Sequence, residues 1–438
     1  MSSVDITSAS EESIENPTLL QAFSVWLKIG LLSFGGPAAQ IALMHRMVVT
    51  ENRWLSEKQY INALSFCMLL PGPEAMQLAT YAGWRMHGVR GGLLAGLLFV
   101  IPGAIIVLLL AAIYTGFGKL PLVDALFLGV KAAVVVIVIE ALLRVSKKAL
   151  KRQDHWVIAA LAFIAIFFFN VSFPLIVIAA GLYGFLTSSQ PADLAGRQSV
   201  LPSMKRSTIV TVLFWACLWA APLVAVYVFT DNQFLLDIGA FFSRLAVVTF
   251  GGAYAVLAYM TQDVVVNLGW LTAGEMMDGL GLAETTPGPL ILVTEFVGFV
   301  AGYREGGVLS GLAAATMTLW VTFVPCFLWI FAGAPYIDWI GEQPRLRGAL
   351  SSITAAVVGV ILNLSVWFSL HVLFATVAAR KVGPLTLWTP GFETLDWRVL
   401  ILTGICAVAV FVWHWSILKV LLMAAILGLL TSGIPTIF

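Results

Sequence analysis

The chain has 438 residues, of which 60% are hydrophobic and 11% are charged, and its formal net charge is +1. Soluble proteins carry about a quarter charged residues, so this composition excludes a soluble fold and predicts an integral membrane protein. The scattered basic residues indicate no nucleic-acid binding. The four cysteines and five histidines form no cluster typical of a metal site, a cofactor or a catalytic centre, so we expect no enzyme.

Residues 1–17 are polar and acidic and lack the features of a signal peptide, which predicts a disordered tail. The segments that follow are long and apolar enough to span a bilayer as helices, which takes about 20 residues. We therefore predict an all-α polytopic membrane protein. Glu140 and Lys131 share one span and are expected in its cytoplasmic half. The clearest predicted spans are 91–117, 121–143, 155–170, 173–187 and 208–230.

Two short motifs, FGG and PGP, interrupt the apolar segments and recur after a shift of 216 positions. FGG at 34–36 matches 250–252, and PGP at 71–73 matches 287–289, with a Trp-Leu pair between them in both places. With small gaps, the glycine pair 91–92 aligns with 306–307, and Pro102 aligns with Pro325. The sequence therefore predicts two repeats, 18–187 and 232–438, separated by a cytoplasmic linker and one extra span within 188–231.

A single extra span between the repeats places the second repeat upside down relative to the first. The basic residues agree, because they are concentrated at 46–58, 144–152 and 197–206 and are absent from the stretch 261–274 that aligns with 45–58. By the positive-inside rule these basic segments face the cytoplasm. The N-terminus is then expected in the cytoplasm and the C-terminus in the periplasm, with Arg380 and Lys381 outside the cell. Whether the FGG and PGP segments re-enter the membrane or cross it stays open.

Helices that stop inside a bilayer leave amide N–H groups that lipid cannot satisfy, so such breaks are expected where the backbone lines a polar cavity. Pro37 suits the first turn of a helix predicted at 38–49, and another helix is predicted to begin near Glu74. The N-termini of such half-helices attract anions. The alternative is that the breaks only kink or pack helices. The backbone positions predicted to bind an anion are Gly35, Gly36, Pro37, Gly72, Gly251, Gly252 and Gly288.

Several side chains near the breaks could complete such a site. Lys28 and Arg244 occupy equivalent positions and would suit an anion, although both could instead extend to the membrane surface. Buried carboxyl groups could carry a coupling proton or pair with a cation. The predicted substrate-binding side chains are Lys28, Gln40, Glu74, Gln77, Arg244 and Thr294, and the candidates for proton coupling are Glu74, Glu284 and Glu295.

The duplicated FGG and PGP motifs, with Trp-Leu between them, resemble the chromate ion transporter family in its long bacterial form, and the resemblance covers essentially the whole chain. It implies a protein of the bacterial cytoplasmic membrane that exports chromate, a tetrahedral dianion similar to sulfate, driven by the proton-motive force. The first repeat carries FGGP in full, whereas Ala253 replaces the proline in the second. The two repeats are therefore not expected to contribute equally to the site.

Two alternatives remain within transport. The substrate could be sulfate or another oxyanion, and the protein could be an anion channel. The expected partners are the oxyanion and the lipid bilayer, and a homo-oligomer is possible.

Overall fold

The computed structural model describes residues 17–117, 120–188, 206–250, 252–341 and 343–431. The predicted tail, apart from Pro17, lies outside the described residues, as do linker residues 189–205 and the C-terminal residues 432–438. The helices are α1 (Leu19–Leu32), α2 (Gly36–His45), α3 (Glu57–Cys67), α4 (Glu74–Phe117), α5 (Pro121–Ala149), α6 (Gln153–Phe169), α7 (Phe173–Thr187), α8 (Arg206–Phe229), α9 (Gln233–Val248), α10 (Ala253–Thr261), α11 (Ala273–Thr285), α12 (Val293–Gly333), α13 (Ile337–Gly341), α14 (Pro344–Leu373), α15 (Trp397–Phe411) and α16 (Ile417–Thr431).

The all-α membrane architecture predicted from composition is confirmed. Each of the five predicted spans coincides with a helix, from the second part of α4 to α8. Many large apolar side chains on these helices are exposed, as expected of surfaces that meet lipid. The segments long and apolar enough to cross a membrane are Glu74–Phe117, Pro121–Ala149, Arg206–Phe229, Leu290–Tyr336 and Pro344–Leu373.

The element order is duplicated, with α1–α7 followed by α8 and then by the same series in α9–α12 and α14–α16. Even a π-helical turn recurs, at Arg46–Glu51 after α2 and at Gln262–Asn267 after α10. The second copy adds the short α13 and an antiparallel hairpin of β1 (Val377–Val382) and β2 (Leu385–Pro390). The sequence analysis did not predict this hairpin, in which Arg380 and Lys381 lie.

The two copies run in opposite directions, as α5 and its counterpart α14 demonstrate. These helices contact each other. Ala132, early in α5, belongs to an apolar cluster with Val372, late in α14. Ala149, at the end of α5, clusters with Val358 in the middle of α14. Equivalent helices that pack antiparallel belong to inverted copies.

The long α4 and α12 are helical hairpins rather than straight rods. Non-helical backbone at His87 and Gly88 reverses α4, and Gly306 and Gly307 do the same in α12. The two arms of α4 touch so closely that a Cβ on Gly83 would lie 2.2 Å from the carbonyl oxygen of Gly91. The alignment of glycine pairs 91–92 and 306–307 is therefore wrong, because the first pair packs helices while the second forms the turn.

The chain also reverses at both PGP motifs. The rings of Phe66 in α3 and Tyr81 in α4 are 6.1 Å apart, whereas a straight helix would separate residues fifteen positions apart by roughly 22 Å. In the second copy, a Cβ on Gly279 of α11 would lie 2.4 Å from the Phe296 ring of α12. Each PGP is thus the tip of a re-entrant hairpin within the protein.

Candidate functional site

The breaks of one copy bind the breaks of the other. The N–H of Gly72, in the first PGP, donates to the carbonyl oxygen of Thr249 at 2.9 Å. The N–H of Gly288, in the second PGP, donates to the carbonyl oxygen of Ser33, also at 2.9 Å. Ser33 and Thr249 hold equivalent positions, immediately before FGG. This reciprocal exchange brings all four interrupted segments together at one centre, the helix-break crossing.

Side-chain packing at the helix-break crossing follows the same reciprocity. A Cβ on Gly103 of α4 would lie 2.2 Å from the carbonyl oxygen of Pro287. A Cβ on Gly72 would lie 3.0 Å from the Sγ of Cys326, which follows Pro325 in α12 as Gly103 follows Pro102 in α4. The absence of a side chain at Gly103 therefore lets the backbones of α4 and the second PGP meet directly. Gly72 has a φ of 120°, a backbone conformation that glycine adopts more readily than other residues.

The first FGG break has open space at a helix N-terminus. Gly35 and Gly36 have φ of 84° and 76°, and α2 begins at Gly36 with Pro37 in its first turn. A Cβ built on Gly36 would meet no described atom within 4 Å apart from its chain neighbours and the backbone of its own helix. The amide groups of the first turn of α2 have no partners within the helix. Free amides and open space at a positive helix end are what a small anion requires.

Gln40 and Gln77 hold the PGP loops from inside the first copy. Gln40 is 1% exposed, and its Nε2 donates to the carbonyl oxygen of Gly288 at 2.6 Å and to that of Ser33 at 3.3 Å. Gln77 Nε2 donates to the carbonyl oxygen of Pro71 at 2.6 Å. Both amide oxygens are buried without a hydrogen-bond partner among the described residues. The second copy has Val256 at the position of Gln40 and, in the register set by the turns at Gly88 and Gly307, Phe296 at that of Gln77, so the polar bracing comes from one copy only.

The second FGG break is bordered by carboxyl groups. Gly252 has φ of 97° and immediately precedes α10, and a Cβ there would lie 3.8 Å from Oε1 of Glu74. Tyr254, in the first turn of α10, donates its hydroxyl to Oε1 of Glu284 at 2.7 Å. Glu284 is buried, and its Oε2 has no partner in the described part of the chain. Negative charge near a helix N-terminus is favourable, so the Glu74 carboxylate stabilises the N-terminus of α10. Gly251 lies outside the described residues.

The remaining predicted site residues differ in their burial and in their hydrogen-bond partners. Thr294 is buried, and its hydroxyl donates to the carbonyl oxygen of Ile291 at 2.8 Å. Glu295 is 1% exposed, and its Oε2 has no partner among the described residues. Lys28 and Arg244 are exposed, and Arg244 donates from Nε to the carbonyl oxygen of Ala240 in its own helix at 3.3 Å. Their binding role stays a prediction.

Sequence reasoning missed Tyr254, because a single tyrosine in an apolar helix gives no motif. Lys131 lies in the first half of α5, whereas Arg144, Lys147 and Lys148 lie at the other end. Lys131 and Glu140 are therefore in opposite halves of the helix, so the expectation that both lie in its cytoplasmic half is wrong for one of them, and the orientation of α5 stays a prediction. Glu140 does lie beside the basic end, bound by Arg144 at 2.5 Å.

The fold and the helix-break crossing define a multi-pass membrane protein of two inverted copies with broken helices at a common centre, an architecture typical of secondary transporters. The family model described as chromate transporter matches residues 20–185 and 236–429. The chain belongs to the chromate transporter family. The two matched segments lie on either side of α8.

Individual relatives agree with this membership. The chromate transport protein of Pseudomonas aeruginosa is 33% identical over 389 residues, which cover 87% of each chain. The probable chromate transport protein of Synechococcus elongatus is 28% identical over 402 residues, 89% of this chain and 95% of that one. The uncharacterized transporter YwrA of Bacillus subtilis is 31% identical over 167 residues, 37% of this chain but 94% of its own length. No solved structure matches the chain.

Proposed function

We propose that this protein exports chromate across the bacterial cytoplasmic membrane as a secondary active transporter. The observation that carries the proposal is the helix-break crossing, where two inverted copies exchange backbone hydrogen bonds and leave the N-terminus of α2 open at Gly36. Family membership and the names of the relatives point to chromate as the substrate.

The chemistry of a tetrahedral dianion fits this centre. Its oxygens accept hydrogen bonds from free backbone amides, which carry no full charge and so allow release as well as binding. Lys28 and Arg244 would attract the anion along its path. Rocking of one copy against the other about the helix-break crossing would expose the site to each side in turn.

The direction of transport follows from the energetics. A membrane potential that is negative inside favours outward movement of a dianion by about 2.3 kcal/mol per charge per 100 mV. Inward movement of protons would add a further driving force, carried by Glu74, Glu284 or Glu295. The positive-inside rule, applied to the basic end of α5, favours an N-terminus in the cytoplasm and a C-terminus in the periplasm.

The direct test uses inside-out vesicles with and without the protein. Vesicles that contain it are expected to accumulate labelled chromate when an acid interior and a positive interior potential are imposed. Equal accumulation in both preparations would refute chromate export. Accumulation driven by the pH gradient alone, with the membrane potential clamped at zero, would exclude an anion channel, and a titration with unlabelled sulfate would distinguish a chromate transporter from a general oxyanion transporter.

A further inference from the structure

A polar cavity lies at the start of α11, at the far end of that helix from the second PGP. Its volume is about 350 Å³, and α4, α5, α11 and α12 all contribute to its lining. It therefore lies between the two copies. The charged residues that line it are Asp124, Lys131, Glu275, Asp278 and Arg304.

Asp278 is the buried group of this cavity, at 5% exposure. Lys131 Nζ from α5 lies 3.2 Å from its Oδ1, and the hydroxyl of Tyr114 from α4 donates to its Oδ2 at 2.8 Å. Glu275 lies one turn earlier on α11 and is bound by Arg304 of α12. Lys131 is thus the cation that compensates Asp278, because Arg304 is engaged by Glu275 and by the carbonyl oxygen of Trp270.

The charge of the cavity disfavours an anionic ligand. Among the described residues that line the cavity, three carboxylates face two cations, so a dianion that enters would be repelled and a positive charge would be attracted. Of the cavity's carboxyl groups, Asp278 is the one that is nearly fully buried, and ionisable groups in such positions in membrane proteins commonly carry protons. The equivalent positions of the other copy hold Asn62 and Thr354, so this charge pair exists on one side of the molecule only.

The cavity also lies at the end of the molecule from which the protons that drive export would enter. Lys131 and Asp124 belong to the half of α5 opposite to Lys147 and Lys148. With the basic end in the cytoplasm, the cavity faces the periplasm, from which protons enter. Glu284 lies six residues beyond Asp278 on α11, roughly 9 Å along the helix axis, so the path to the helix-break crossing is short.

We propose that Asp278 is the group that takes up the coupling proton from the periplasmic side. Its carboxylate binds one proton, which removes its attraction to Lys131 and frees that cation. When the proton moves on towards the cytoplasm, the carboxylate and the ion pair with Lys131 re-form. In the described part of the chain, the other charged or titratable groups that line this cavity are Tyr114, Tyr303, Glu275, Arg304 and Asp124. The inference rests on the proposed proton-driven export.

The test measures two activities of the full-length protein in liposomes. Chromate counterflow, the exchange of labelled for unlabelled chromate without a proton gradient, reports substrate binding and alternating access. Accumulation driven by a pH gradient reports coupling. Asp278→Asn is expected to abolish driven accumulation and keep counterflow, and Asp278→Glu is expected to restore part of the driven accumulation. Asp237→Asn, which removes an exposed carboxylate of α9 that does not line the cavity, is the matched control and is expected to keep both activities.

The possible outcomes are distinguishable. Driven accumulation that persists in Asp278→Asn would overturn the inference. Loss of counterflow as well would also overturn it, because Asp278 would then serve structure or substrate binding. If the unaltered protein shows counterflow but no response to a pH gradient, proton coupling itself fails. If it moves no chromate at all, the proposed function fails irrespective of Asp278.

Discussion

The two FGG breaks occupy equivalent places in the two copies but present different chemistry. At the first, α2 begins beside open space at Gly36, and the nearby polar side chain is the amide of Gln40. At the second, Glu74 lies beside Gly252, and Tyr254 binds Glu284. The inverted duplication therefore supplies a symmetric backbone on which the side chains have become specialised. We infer that the first break serves the anion and the second is suited to protons.

The largest effect should follow from filling the open position of the first break. Gly36→Val places a β-branched residue at φ 76° and in the space left for the anion. The backbone strain alone costs about 1–3 kcal/mol, and the bulk blocks close approach. We expect chromate accumulation in vesicles to be lost while the protein still inserts into the membrane. Gly404→Val, at a helical glycine that also has open space, is the control and should transport normally.

If Gly36→Val inserts and transports like the unaltered protein, the backbone site at α2 is wrong. Gly252→Val sharpens the comparison, because it strains the equivalent backbone at φ 97° without filling the space beside α2. We expect it to impair transport less than Gly36→Val.

The next effect concerns the bracing of the first break. Gln40→Val gives this position the residue that the second copy has at 256. It leaves the carbonyl oxygen of Gly288 without the Gln40 donor, at a cost of about 1–3 kcal/mol, whereas that of Ser33 keeps the N–H of Gly288. We expect a lower midpoint of thermal unfolding in detergent and slower chromate counterflow. Val256→Gln should not increase either quantity, and an unchanged Gln40→Val protein would mean that the bracing is dispensable.

A smaller effect is expected from the two equivalent cations. Lys28→Ala and Arg244→Ala each remove an exposed charge, and exposed charges act on an approaching anion weakly and in a salt-dependent way. We expect a raised KM for chromate at low ionic strength, larger for Lys28 because it precedes the open break. Lys147→Ala is the control. Normal kinetics in both variants would remove these residues from the mechanism.

The smallest expected change tests the second break. Glu74→Gln removes the carboxylate beside Gly252 and with it the repulsion of a nearby dianion. Removal of this Coulomb repulsion should lower the KM for chromate. Gln59→Glu, which changes charge at the distant start of α3, should leave KM unaltered. A raised KM in Glu74→Gln would place Glu74 in attractive contact with the substrate instead.

The motifs were good predictors of where the helices break but poor predictors of what surrounds them. The PGP motifs predict turns at Gly72 and Gly288, because two prolines beside a glycine leave few backbone conformations other than a turn within an apolar segment. Their partners, Thr249 and Ser33, lie far away in the chain, and no local pattern marks them. Asp278 and Lys131 are in the same situation, since each is an isolated charge until the fold joins α5 to α11.

The sequence by itself determined the membrane class, the position of the spans and the duplication, because hydropathy and glycine-proline breaks act within a few turns of a helix. Only the tertiary structure decided that the breaks interlock across the copies, that α4 and α12 fold back at Gly88 and Gly307, and that Glu74 faces Gly252. These features depend on contacts between residues that are distant in the chain. Such contacts exist only once the helices have packed.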